Sequence, residues 1–210
     1  MRILLDNEPC TVAAESLGEA LQAANDIAEG RGRLVVEVLV DGILLSETQL
    51  QEKARLAASA NEVQLRTTTA LDILSETFAN ASRAVIESEQ VQEHAAQLIQ
   101  SGRQVEGMKT LSTALAMWME VHSAVIKGLT FAGEDPETMV IEGIKLSDAS
   151  AALQNRLADL RNAIAASDPS AICDCLLYEF PAVCTDWAGL LDGLSKRYDP
   201  KAADIDEKES

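Results

Sequence analysis

Hydrophobic positions along this chain change their period once, at Arg66 to Thr69. Upstream, short β-rich runs such as Leu34 to Val40 are set off by turn residues; downstream, apolar side chains recur every three to four positions as far as Leu194. A period near 2 fits a pleated strand and one near 3.6 a helix, so the switch divides a small α+β segment from a helical one.

Within the first segment, Arg2 to Leu5 and Cys10 to Ala13 form a predicted hairpin across the turn residues Asp6, Asn7, Glu8 and Pro9. Ser16, with Glu19 three positions on, is the capping box of an amphipathic helix through Leu17, Ala20, Leu21, Ala24 and Ile27 that stops at Gly30. Leu34 to Val40 reads as a strand, Asp41-Gly42 as a tight hairpin turn, and Ile43 to Leu45 as the returning strand. A short helix starts at Ser46 or Glu47, and Val63 and Leu65 mark a last strand over Glu62 to Thr67. This element order, together with Val38-Leu-Val-Asp-Gly-Ile-Leu-Leu45, resembles the ubiquitin-like β-grasp. The resemblance implies a mixed sheet wrapped on one helix. A conjugated modifier of that family ends in a free Gly-Gly tail, whereas here Arg66 runs into Thr67-Thr68-Thr69 and a helix. What the resemblance implies is therefore a built-in interaction or docking domain.

In the second segment, Leu71, Leu74, Phe78, Ala81, Val85, Val91, Ala95 and Leu98 share one stripe, with Thr68 or Thr69 as cap and Ser101-Gly102 as stop. Met108, Leu111, Leu115, Trp118, His122, Val125 and Leu129 follow in alternating steps of three and four, the seam of a helical bundle, and the helix ends near Gly128 to Gly133. That spacing puts His122 in the core and leaves Val121 and Ile126 beside the main stripe, a surface for homo-oligomerisation. Thr138 to Leu146 reads as an extended connector before Ser147 caps a third helix through Leu153, Leu157, Leu160 and Ile164. Asp168-Pro169 opens a fourth, which presents Ile172, Leu176, Phe180, Val183, Trp187, Leu190 and Leu194. Pro181 lies inside it, removes one donor and crowds the carbonyl of Leu177, so a kink or short break is expected. The fold class is α+β: a β-grasp-like domain at residues 1–68, an antiparallel bundle of about four helices at 69–198, and a disordered acidic tail at 199–210.

Charge narrows the partners. A formal net charge of −17 repels phosphate backbones and anionic headgroups, which argues against nucleic acid and membrane. The apolar run Ile3-Leu4-Leu5 ends at Asp6, too short for a secretory signal, and a cytoplasmic location is the expectation. Cys10, Cys173, Cys175 and Cys184 then read as reduced, buried thiols. Cys173-x-Cys175 is half a metal site at most, because residues two apart on a helix point about 200° apart. His94 and His122 lie too far apart along a helical hairpin to act together, and neither has the Glu-x-x-His spacing of di-iron bundles. Gly30-Arg31-Gly32 follows a helix, whereas a dinucleotide loop follows a strand. The pattern points to no enzyme, no cofactor and no metal, and to an adaptor or scaffold that binds a protein partner. The contact candidates are Arg31 and Arg33, the Asp41-Gly42 hairpin, and Tyr178 with Pro181 at the expected kink. Two alternatives stand beside this reading. One is a chaperone for an exported or self-assembling protein, since small, acidic, helix-rich chains resemble bacterial secretion and flagellar chaperones in composition. The other is an enzyme using carboxylates or Cys184 in an interdomain cleft.

Overall fold

The structure, a computed structural model, describes residues 1–201. It is α+β, a mixed sheet at the N-terminal end followed by helices. The chain divides into two compact units, Met1–Ile73 and Leu74–Ser210. Residues 202–210 of the expected acidic tail lie outside the described residues.

In the first unit, β1 (Arg2–Leu5) and β2 (Glu8–Cys10) form a hairpin, and α1 (Leu17–Gly30) follows. β3 (Arg33–Val40) and β4 (Ile43–Leu44) form a second hairpin; α2 (Glu47–Leu50), α3 (Lys53–Leu56) and β5 (Glu62–Thr69) complete the unit. The strand order is β2-β1-β5-β3-β4, with β1 parallel to β5 and every other pair antiparallel. Ile3 and Leu5 of β1, Val38 of β3 and Val63 and Leu65 of β5 are buried with Leu17, Ala20 and Ala24 of α1. Ser16 caps α1 by accepting from the Glu19 amide at 3.3 Å. The second strand is displaced from its expected place at Cys10 to Ala13. Asp6 and Asn7 both take positive φ and close a tighter turn, so pairing begins at Glu8 and ends at Cys10.

The sequence of β3, Arg33-Leu-Val-Val-Glu-Val-Leu-Val40, does not alternate strictly, and its pairing gives the reason. Val35 pairs with Thr67 but Glu37 pairs with Arg66, so Val36 is an extra residue that bulges out of the ladder. A bulge reverses the parity of the faces. Val38 is consequently buried while Leu34 and Val36 are exposed.

The second unit is built on α4 (Ala70–Gln100), which enters it at Leu74, and α5 (Gln104–Ala132). Thr69 and Asp72 cap α4 reciprocally: the Thr69 hydroxyl accepts from the Asp72 amide at 3.0 Å, and Asp72 Oδ2 accepts from the Thr69 amide at 3.2 Å. The buried line of α4 runs Leu74, Phe78, Ala81, Val85, Ser88, Gln92, Ala95 and Ile99, so it passes through two polar residues and not through Val91. Steps of three and four continue unbroken along it, and periodicity outweighs polarity there. α5 buries Gly107, Leu111, Ala114, Trp118, Val121, Val125 and Gly128. His122 is therefore not a core residue: it is exposed, and Val121 takes the core position one residue earlier. From Trp118 to Val125, a step of three then four and a step of four then three both satisfy the helical period, so spacing alone does not separate them.

After α5 the connector becomes a small hairpin, β6 (Val140–Ile141) and β7 (Ile144–Lys145), turned by Glu142 and Gly143 at positive φ. α6 (Leu146–Ala165) starts directly at its end, with Lys145 and not Ser147 before its first turn. α7 (Pro169–Asp174) is capped by Asp168, which accepts from the amides of Ser170 and Ala171. A π-helical turn over Cys175–Glu179 joins it to α8 (Phe180–Arg197). Pro181 supplies the cause: it donates no N–H and its ring crowds the carbonyl four residues back, and a wider turn relieves both conflicts.

Candidate functional site

Arg33 lies at the end of the first unit's sheet, where three residues form one hydrogen-bonded chain. Its Nε donates to Thr67 Oγ1 at 2.6 Å and its Nη2 to the Thr67 carbonyl at 2.8 Å. Thr67 Oγ1 donates onward to Asp6 Oδ2 at 2.5 Å, and Asp6 Oδ1 accepts from the Thr67 amide at 2.7 Å. Partial burial works to raise the Asp6 pKa, but the Thr67 hydroxyl and amide and the Arg33 and Arg31 charges outweigh it, and the carboxyl sits below its ordinary value. Asp72 is lowered as well, first by the Thr69 hydroxyl. Arg33 is thus committed within the fold, whereas Arg31, at the C-cap of α1, is exposed.

Asp41 and Gly42 make the two-residue turn between β3 and β4, both at positive φ, as a tight hairpin requires. Asp41 also has a structural task, since its Oδ1 accepts from the amides of Asn61 and Glu62 at 3.0 and 2.9 Å and fixes the start of β5. Beside this turn Ile43 and Leu44 are 62% and 58% exposed. β4 covers only Leu39 and Val40 of β3, and the exposed Val36 lies further along the same strand. Tyr178 is 75% exposed in the π-helical turn, Pro181 is half-buried, and Arg156 of α6 forms an ion pair with Glu179 of that turn.

The second unit holds a cleft that sequence reasoning did not single out. Leu115, Trp118, Met119 and His122 of α5, Ser150, Leu153, Gln154 and Leu157 of α6, and Trp187 of α8 line a volume of ≈ 380 Å³. Its floor is the pair of tryptophans, 3% and 1% exposed, which meet edge-on with ring centroids 5.9 Å apart and planes at 83°. Its rim is exposed: Met119, His122 and Gln154. A second hollow of ≈ 230 Å³ continues from His122, Ser150 and Gln154 toward Ile126, Glu137 and Leu146. The two indoles differ. Trp187 Nε1 donates to the Ala149 carbonyl at 3.1 Å, whereas the buried Trp118 Nε1 has no partner among the described residues. An unpaired buried donor costs about 1–3 kcal/mol. The signal available in the sequence was that Leu115, Met119, His122 and Ile126 form a second line on α5, one residue out of step with the core line.

Burial raises the thiols of Cys173, Cys175 and Cys184, all in the second unit, above their ordinary value. Burial, with Glu89 nearby, pushes Cys184 up to about 12, and burial with Glu179 pushes Cys175 up to about 11. Cys173 donates to the Ala96 carbonyl and Cys175 to the Arg156 carbonyl. A thiol so raised is a poor nucleophile at neutral pH. Comparison of the chain with protein-family models, curated proteins and solved structures finds no match.

Proposed function

We propose that the chain is a non-enzymatic adaptor or scaffold for a protein partner, built from a β-grasp-like unit and an antiparallel bundle of about four helices. In support of the first part, the parallel pair β1 and β5 lies between β2 and the β3–β4 hairpin and shares one core with α1. In support of the second, Gly107 lies against Ala95 and Ile99 while Gly128 lies against Phe78, as expected of α4 and α5 running in opposite directions.

The observation that carries the binding role is the β3–β4 edge. Two large aliphatic side chains, Ile43 and Leu44, stand mostly in solvent on a two-residue edge strand, and pairing with β3 stops at Val38, whose carbonyl accepts from the Leu45 amide at 2.9 Å. Sheet edges of this kind receive an extended segment through backbone hydrogen bonds, with apolar side chains giving preference. Affinity capture from cell extract tests the reading with the double variant Ile43→Glu, Leu44→Glu. A partner held by the wild type and lost by the folded variant supports it; equal capture by both counts against it. A single dominant client, not a stable assembly, would turn the reading toward the chaperone.

A further inference from the structure

We infer that the edge of β3 takes a basic, extended peptide: a segment that adds as a strand beside Arg33 to Glu37, places one aliphatic side chain in a hollow under α1, and sets Lys or Arg residues against the carboxylates of α1. The inference rests on the edge-binding reading above and names the chemistry of its partner.

β4 pairs only with Leu39 and Val40, and the Leu45 amide bonds the Val38 carbonyl just beyond them. β3 continues from Glu37 back to Arg33 with β5 on one side and, among the described residues, no strand on the other. On the α1 side of this stretch is a hollow of ≈ 350 Å³. Its walls include the half-buried Leu21 of α1, Val35 of β3 and Leu50 of α2, and its floor is Val38 and Leu65, 6% and 1% exposed. Val35 belongs to both features. A strand added at about 4.8 Å from β3 points alternate side chains to the α1 side of the sheet, and the one beside Val35 falls in the hollow.

Charge decides what else the segment carries. From Glu15 to Gly30 the chain holds Glu15, Glu19, Asp26 and Glu29 and no Lys or Arg. Asp26 accepts from Gln22 Nε2 at 3.0 Å and Glu29 from Asn25 Nδ2 at 2.7 Å; Gln22 and Asn25 line the hollow, so both carboxylates stand at its rim. Both are exposed, and neither is ion-paired among the described residues. They lie toward the C-terminal end of α1, where the last carbonyls already favour a cation and the final turn supplies none. Such a placement opposes helix stability, and a choice that disfavours the fold is expected where binding uses it. The neighbouring cations are directed elsewhere. Arg31 and Arg33 act on Asp6, and Lys53 and Arg55 belong to α3, which meets α1 at Gly18, about 12 Å along the helix from Asp26.

The blocked peptide Thr-Lys-Thr-Ile-Thr-Lys-Thr, which puts Lys, Ile and Lys on one face of a strand, and its counterpart with Glu for both Lys serve as probes. In titrations of the full chain at about 50 mM salt, the Lys peptide should shift the Leu34 to Glu37 amides and the Leu21, Val35 and Leu50 methyl signals saturably. It should bind about tenfold more tightly than the Glu peptide, and raising the salt to about 500 mM should cut that preference about threefold. Ala for the central Ile should weaken it about tenfold. In the double variant Asp26→Asn, Glu29→Gln the Lys and Glu peptides should bind alike. Equal binding of the two at the β3 edge of the wild type would overturn the basic partner and leave the edge-binding reading standing. No saturable shift, shifts that miss both β3 and the hollow, or a charge preference that survives the double variant would also overturn the inference; capture with Ile43→Glu, Leu44→Glu then decides the edge-binding reading separately. So would β3 signals that broaden with protein concentration alone together with a dimer by sedimentation, because a second copy would then be the occupant.

Discussion

The two units treat their polar groups in opposite ways. In the first, aspartates fasten the two ends of the central strand: Asp6 binds Thr67, Asp41 binds the amides that start β5, and Asp72 binds Thr69. In the second, polar groups are taken into the interior and not all are paired. The buried side-chain polar atoms without a partner among the described residues, Gln92 Oε1 and Trp118 Nε1 included, all lie in that unit. Paired groups at a margin hold structure, whereas an unpaired group sealed in the interior costs stability. The difference teaches that the abundant carboxylates of the first unit serve its fold, while the second unit tolerates unpaired polar atoms in its interior.

The strongest perturbation tests how tightly the second unit is packed around its polar interior. A Cβ at Gly128 would lie 2.7 Å from Cζ of the fully buried Phe78, so Gly128→Ala should cost about 1–3 kcal/mol in urea unfolding. Gly189 has open space around it, and Gly189→Ala should gain about 0.5–1 kcal/mol as a control for helix propensity. Equal responses at the two sites would mean the helices yield readily, and an unpaired donor would then have little meaning.

Smaller effects are expected from the first unit's margin. Asp6 and Asp72 have lowered pKa values in the folded chain, so the unfolded chain binds more protons on acidification. Their stabilisation is fully present above the unfolded carboxylate value of about 3.9 and is lost as pH falls through the folded values. Asp6→Asn should cost less than about 1 kcal/mol near neutrality, since the carboxylate is partly in solvent, and its difference from wild type should shrink as pH falls below about 4. A difference independent of pH would remove the charge from the account.

The smallest effect concerns Gln92, whose Nε2 donates to Ser88 Oγ at 3.0 Å while its Oε1 is unpaired. Gln92→Leu removes an unsatisfied acceptor and leaves Ser88 its bond to the Ala114 carbonyl, so stability should change by less than about 0.5 kcal/mol. A loss several times larger would show that Gln92 is satisfied in solution and would weaken the contrast between the units.

How much of this was legible depended on whether one local rule decided the outcome. Asp41-Gly42, Asp168-Pro169 and the stop at Gly102 were readable because positive φ, capping and the proline ring each act within a few residues. Ser88 and Gln92 were missed because their burial is imposed by the period of their neighbours against their own polarity. His122 was placed inward by a spacing that two registers satisfy, and its true position on the rim follows from Val121 packing inward. The cleft was not legible, since it joins α5, α6 and α8 and exists only once those helices are packed.

The wide turn at Cys175–Glu179, where the Phe180 amide reaches back five residues to the Cys175 carbonyl, also sets helical phase. An ordinary turn spends 3.6 residues per revolution, so one residue removed from this segment would rotate everything from Phe180 onward by about 100° relative to α7. Trp187 would leave its edge-on contact with Trp118, and the cleft would lose half its floor. The proline thus acts at a distance of six residues as a timing element: it fixes which side of the last helix faces the aromatic pair.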